Sequence, residues 1–143
     1  MATDTFLLDV NVLIALAWPT HVHHERAHAW FANVEHWATC SLTESAFVRL
    51  STNVAVVGER IPVAAALSVL NQIRSVAGHR FVIDDSSFGT PAISFDRVVT
   101  SSQITDAHLV NLAADADLVL ATLDRGIPEM LVPADHRHVM VVP

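Results

Sequence analysis

The sequence predicts an α/β protein with a central parallel sheet covered by helices on both faces. Three observations carry this expectation. Short β runs alternate with helical stretches from end to end, the pattern of strands joined by right-handed helical crossovers. The first run, "TFLLD", feeds directly into "NVLIALAW", which is apolar on every face and therefore reads as a deeply buried helix. Finally, 143 residues that are 52% apolar and 16% charged, with no linker, low-complexity tract or internal repeat, fit one domain over 1–143. A chain of that size buries a sufficient core without disulfides or a structural metal.

Taken in order, the β run Thr5–Asp9 is followed by a helix that Trp18-Pro19 ends. From His21 to Val34, apolar residues at Ala27, Trp30, Phe31 and Val34 give the i, i+3, i+4, i+7 spacing of an amphipathic helix. "ATCS" is a short strand. "SLTESAFVRLSTNVAV" reads as a helix with Ser41 as N-cap, Glu44 three residues on, and Phe47, Leu50 and Val54 on one face, broken at Gly58. Pro62, at a first helical position, opens the next helix, striped by Ala66, Val69, Leu70 and Ile73 and closed near Gly78. Arg80–Asp84 is a strand, and 85–102 reads as loop with a short helical piece over Phe95–Val99. "ITDAHLVNLAADAD" is helical with Leu109, Leu112, Ala113 and Ala116 as its stripe. "LVLATLD" is a strand closed by Asp-Arg-Gly, and "HVMVV" is the last strand.

Composition excludes several functions. The net charge of −7 argues against a broad basic surface for nucleic acid. All eight basic residues are Arg, so P-loop phosphate binding and Schiff-base catalysis are absent for want of lysine. No apolar run approaches a membrane span, and "MATDTF" carries an acid where a signal peptide carries basic residues, so no membrane association is expected and the expected compartment is the cytoplasm. Cys40 has no cysteine to pair with and reads as a small buried apolar residue. Trp18, Trp30 and Trp37 read as core or subunit-contact residues, and Asp4, Asp115, Asp117 and Asp135 as surface charge.

Asp9 is the residue this pattern does not explain, because an unpaired carboxylate in an apolar run costs several kcal/mol or neutralises. Ligands of parallel sheets gather beyond the carboxyl ends of the strands. Asp9 ends the first strand, Glu44 opens the helix after the second, Asp106 opens a helix and Asp124 ends the "LVLAT" run. Four acids scattered in sequence are thus candidates for one edge.

The blocks "LLDVNVLIAL", "SLTESAFVRL", "ITDAHLVNLA" and "LVLATLDRGI" resemble, in order and across nearly the whole chain, the four acidic blocks of the PIN-domain ribonucleases, and more narrowly the VapC toxins of bacterial VapBC toxin-antitoxin modules. The resemblance implies a PIN-like three-layer α/β/α fold and a metal-dependent endoribonuclease with an RNA substrate. It also implies a homodimer and a small VapB-like antitoxin that blocks the cleft with a basic side chain. By position it makes Asp9, Glu44, Asp106 and Asp124 the catalytic, metal-binding acids, with Asn11 and Thr122 as supporting polar residues. The segment 85–102 does not align with the family pattern.

Electrostatics points the same way: clustered carboxylates stay ionised at neutral pH only if a cation compensates them, and hard oxygen ligands favour Mg²⁺ or Mn²⁺. Asp9 and Asp106 are the first choice for direct ligands, with Glu44 and Asp124 completing the shell or orienting water. Arg125, the cation nearest in sequence, is the candidate phosphate contact. Each acid also has an ordinary role open to it: Glu44 in a capping box with Ser41, Asp106 at a helix N-terminus, Asp124 in a turn, and Asn11 as an N-cap. Two further functions compete. "HERAH" matches H-E-x-x-H, with His24, His28 and Glu25 as a zinc-protease site, but no third ligand follows. A non-catalytic PIN-fold binding protein would keep the fold without the chemistry. A haloacid-dehalogenase-like phosphatase is disfavoured, since the chain reads D-x-N at the first strand and lacks lysine. His108, two residues beyond Asp106 on a helix, is expected to point away as scaffold.

Overall fold

The computed structural model describes residues 3–143. Five strands, β1 (Thr5–Leu8), β2 (His36–Cys40), β3 (His79–Val82), β4 (Val119–Thr122) and β5 (Val139–Val141), form one sheet in the order β3-β2-β1-β4-β5. Every pairing is parallel, as four strands returning through helical crossovers require. β1 lies at the centre, with β2 and β3 to one side and β4 and β5 to the other, so the direction of winding reverses between β1 and β4.

Alternation along the strands divides the core into two layers. Leu7, Ala38, Cys40 and Leu120 face a cluster built on α6 (Ile104–Asp115) and α7 (Gly126–Glu129). Leu8, Trp37 and Ala121 face the opposite cluster, supplied by α1 (Val10–Ala17), α2 (His24–Phe31), α3 (Ser41–Ser51) and α5 (Val63–Arg74). A period of two on strands covered on both faces yields this three-layer α/β/α arrangement. The apolar run of α1 is explained by its position, with Val12 through Leu16 all buried. No helix of the described residues is long and apolar enough to cross a membrane.

Several boundaries differ from those the sequence predicts. α3 is capped by Cys40, not Ser41, because β2 ends at Cys40 and the helix starts one residue earlier; Thr43 Oγ1 then accepts from Cys40 N at 3.1 Å, and the capping box of Ser41 with Glu44 does not form. The helix expected to run on to Val56 stops at Ser51. Asn53 starts the one-turn α4 (Val54–Val57) by accepting from Ala55 N. α2 begins at His24, since His21 and His23 form a turn ahead of it. Pro62 is the N-cap of α5 rather than its first residue. The helical piece expected over Phe95–Val99 is only a turn, and helix begins with a 3-10 turn at Ser101–Gln103.

The long segment before α6 is held by buried polar groups. Asn111 Oδ1 accepts from Ala92 N (2.7 Å) and Asp135 Oδ2 from Ser94 N (2.8 Å), while Ile93 inserts into the core. Asp135, expected as surface charge, is therefore buried, because a loop lying on α6 needs acceptors for its backbone N–H groups. Cys40 and Trp37 are fully buried, as their type suggests. The "HERAH" histidines serve the scaffold. His24 Nδ1–H donates to Ala15 O (2.7 Å) and His28 Nε2–H to Leu16 O (2.8 Å), satisfying the last carbonyls of α1. Among the described residues no three His, Cys, Asp or Glu side chains converge as metal ligands, so the zinc-protease reading finds no site.

Candidate active site

The end of β1 sets the first acid. Asp9 N donates to Ala121 O (2.9 Å), continuing the ladder with β4 for one residue, and Asp9 then caps α1 with Oδ1 accepting from Val10 N at 2.7 Å. The carboxylate is 4% exposed. Its Oδ2 accepts from Thr122 Oγ1 (2.7 Å) at the end of β4 and from Asn11 Nδ2 (3.4 Å). Asn11 also donates to Thr122 Oγ1 (3.2 Å) and accepts from Leu123 N (3.0 Å), and Asp124 N donates to Thr122 Oγ1 (3.1 Å). Asn11 and Thr122 thus lock the ends of β1 and β4 together at the point where the sheet reverses its winding, where ligands of such sheets bind.

Three of the four acids feel one another. Burial above all, joined by the charges of Asp106 and Asp124, pushes the Asp9 carboxyl up to about 6 against the hydrogen bonds from Thr122 and Val10. Asp106, half-buried in the first turn of α6, is also raised, by burial and then by Asp124. Asp124 is exposed, and its Oδ1 accepts from Gly126 N at 2.8 Å, so it shapes the turn into α7 as well as carrying charge.

Glu44 is placed differently. Its Oε2 accepts from Thr39 Oγ1 at 2.5 Å and its Oε1 lies 3.5 Å from Arg74 on α5. His79 Nε2–H donates to the same threonine oxygen. Its carboxylate is absent from the charges that raise Asp9, so the structure brings Asp9, Asp106 and Asp124 together and ties Glu44 to Thr39 and Arg74 instead.

A small cleft of about 110 Å³ opens over Asp9 and Asp106, walled by Leu42, Thr43, Ala46 and Thr105, with Arg49 of α3 at its side. Sequence reasoning passed over Arg49. It stands in the same block as Glu44, and in a chain with so few cations each Arg beside an acidic block was a candidate. Arg125 is exposed at the start of α7.

The donor set fits a hard divalent ion: carboxylate oxygens, one of them almost fully buried, with no described cation pairing with Asp9. Fewer than three side chains converge closely enough to form a complete cage. Mg²⁺ is commonly held in this way, by one or two carboxylates, its own waters and substrate phosphate oxygens.

No family model matches the chain. It is 48% identical to ribonuclease VapC38 of Mycobacterium tuberculosis over 123 residues, covering 85% of this chain and 86% of the relative. Ribonuclease VapC39 of the same organism is 41% identical over 128 residues (87% and 92%), and ribonuclease VapC29 is 39% identical over 127 (88% and 90%). Two solved structures share the fold. PAE2754 from Pyrobaculum aerophilum superposes with a TM-score of 0.59 at 24% identity, over 97% of this chain and 84% of that one. VapBC2 from Rickettsia felis, bound to a DNA fragment from its promoter, gives 0.60 at 10% identity, over 97% and 99%. Identity at this level over most of both chains shows that the chain belongs to the VapC ribonuclease family.

Proposed function

We propose that the chain is an endoribonuclease, the toxin of a type II toxin-antitoxin pair, which hydrolyses RNA phosphodiester bonds with Mg²⁺ or Mn²⁺ held by Asp9 and Asp106 beside the charge of Asp124. The observation that carries this is Asp9: a buried carboxylate, oriented by three hydrogen bonds, whose charge is opposed by two neighbouring acids and paired with no cation among the described residues. The ion would supply compensating charge and Lewis acidity toward water and phosphate oxygen.

The remaining work belongs to side chains. Asp9 and Asp106, which line the cleft, would hold the ion, with Asp124 adding its charge from the end of β4. Thr122 and Asn11 fix the carboxylate of Asp9 in one orientation, the role that outer hydrogen bonds play around metal ligands. Arg49, on the wall of the cleft, and Arg125, next to Asp124 in the chain, would bind phosphate oxygens by charge-assisted hydrogen bonds. Glu44, tied to Thr39 and Arg74, would orient water or substrate beside the cleft rather than ligate the ion. The partner that fits the family is a VapB-like antitoxin whose basic side chain would enter this acidic cleft, and pairing of two copies as a homodimer is part of the same reading.

The deciding experiment compares wild type with Asp9→Asn on single-stranded RNA. Wild type is expected to cut only when Mg²⁺ or Mn²⁺ is present. The variant, with its fold verified by circular dichroism, is expected to lose activity by about 10³-fold or more, the scale of removing a principal stabiliser of transition-state charge. Equal rates for the two proteins would refute the site.

A further inference from the structure

Beside the acidic cleft lies a second, larger cavity of about 320 Å³, lined by Leu42, Asp84, Phe88, Ile104, Thr105 and His108. Leu42 and Thr105 line both, so the two spaces share a wall. The ribonuclease reading uses none of the other four residues. Phe88 and Ile104 are 42% and 41% exposed, so apolar surface stands next to a site for a polyanion. The Phe88 ring is held by edge contacts, 4.8 Å from the ring of Phe95 and 5.7 Å from that of His108. The segment carrying it is anchored beneath by Asn111 and Asp135. His108 Nε2–H donates to Asp84 Oδ2, while Oδ1 of the same carboxylate accepts no bond from the described residues. The otherwise unassigned segment after β3 therefore presents an aromatic platform and a fixed hydrogen-bond acceptor within one cavity.

We propose that this cavity receives one unstacked RNA base next to the scissile phosphate, and that the base is guanine. The proposal rests on the ribonuclease reading and deepens it. Single-stranded RNA is recognised by splaying a base onto an aromatic ring and bonding its edge. A carboxylate accepts only, and guanine alone among the four bases offers two adjacent N–H donors, N1–H and N2–H, that match a carboxylate side by side. The shared wall of Leu42 and Thr105 sets the base beside the cleft that holds the acids. His108 keeps Asp84 oriented.

The test maps cleavage ends on a random single-stranded RNA pool in Mg²⁺, with steady-state kinetics on a short guanine-containing RNA, for wild type, Phe88→Ala and Asp84→Asn. Wild type is expected to cut with guanine enriched at one fixed position beside the break. Phe88→Ala, at an exposed site with little effect on folding expected, should raise KM by about ten-fold or more, with the larger part of the loss in KM, and flatten the preference. Asp84→Asn replaces two acceptors with one acceptor and one donor and should move the preference from guanine toward adenine. A base distribution that is unbiased in wild type, or identical in all three proteins, overturns the proposal. The second result is also what a cavity built for an apolar side chain of a protein partner would give. Wild type that cuts no RNA, or Asp9→Asn that cuts as fast as wild type, strikes the underlying ribonuclease reading instead, so the two failures are distinguishable.

Discussion

At the level of single residues the buried carboxyl of Asp9 couples function to stability. In the metal-free fold it titrates at about 6 against 3.8 for an unperturbed aspartate. Folding therefore favours its protonated form, and this contribution is complete below about pH 4 and lost as pH rises through 6, a change of about 3 kcal/mol. His21, His79 and His138, each lowered first of all by burial, act in the opposite sense and weaken the fold as pH falls. Asp9→Asn cancels the aspartate and leaves these histidines in place. Urea unfolding in chelator should show the variant gaining on wild type between pH 4 and 7, with Mg²⁺ narrowing the gap. A gap independent of pH would show that Asp9 bears no buried charge. Glu44→Gln tests the position beside the cleft: loss of about 10- to 100-fold in kcat is expected, the scale of outer-sphere partners, and a loss as deep as that of Asp9→Asn would show its carboxylate turning into the cleft. The positions of Asp9, Asp106 and Asp124 were legible because acids at strand ends and at a helix start leave few places to go. The orientation of Glu44 was not, since it is set by Thr39 and by Arg74, thirty positions away on another helix.

Among the elements, the turn into β3 is the most constrained. Gly78 has φ +91, and a Cβ there would meet Glu35 O at 1.9 Å, while its own carbonyl accepts from Trp37 N at 3.0 Å. Gly58 has a similar φ of +82 but nothing within 4 Å. Gly58→Ala is expected to cost about 1–2 kcal/mol from backbone conformation alone, and Gly78→Ala about 2–4 kcal/mol, because β2 and the turn must also separate. Equilibrium unfolding of both variants isolates the contact, and equal losses would refute it. The sequence marked Gly78 only as a helix end, since the approach of Glu35 depends on β2 pairing with β3. The same logic explains the other element-level differences. The α3 cap moved by one residue because strand pairing, not the S-x-x-E pattern, decides where β2 stops. α6 is buried beyond its apolar stripe, Asn111 included, because the preceding loop folds back over it.

For the whole molecule, alternation of strands and helices was enough to anticipate a parallel sheet with helices on both faces, and its strand ends were enough to suggest where chemistry would gather. The strand order was not legible, because nothing local says that β1 pairs with both β2 and β4; yet that central position is what joins Asp9 to Thr122 and brings Asp124 close. The surface charge has its own consequence. A net charge of −7 with eight Arg leaves no broad basic face, and Arg49 is the one cation that lines the acidic cleft described here. Affinity for RNA should then come from the metal site, a base cavity and very few phosphate contacts. With single strands, each neutralised phosphate contributes about −0.7 to the slope of log affinity against log salt. At fixed Mg²⁺, log(1/KM) plotted against log monovalent salt is expected to fall with a slope of about −1.4, matching Arg49 and Arg125, and Arg49→Ala should make it shallower by about 0.7. A slope steeper than about −4 would require a basic RNA track that this distribution of charge does not provide, and would move substrate binding away from the cleft over Asp9 and Asp106.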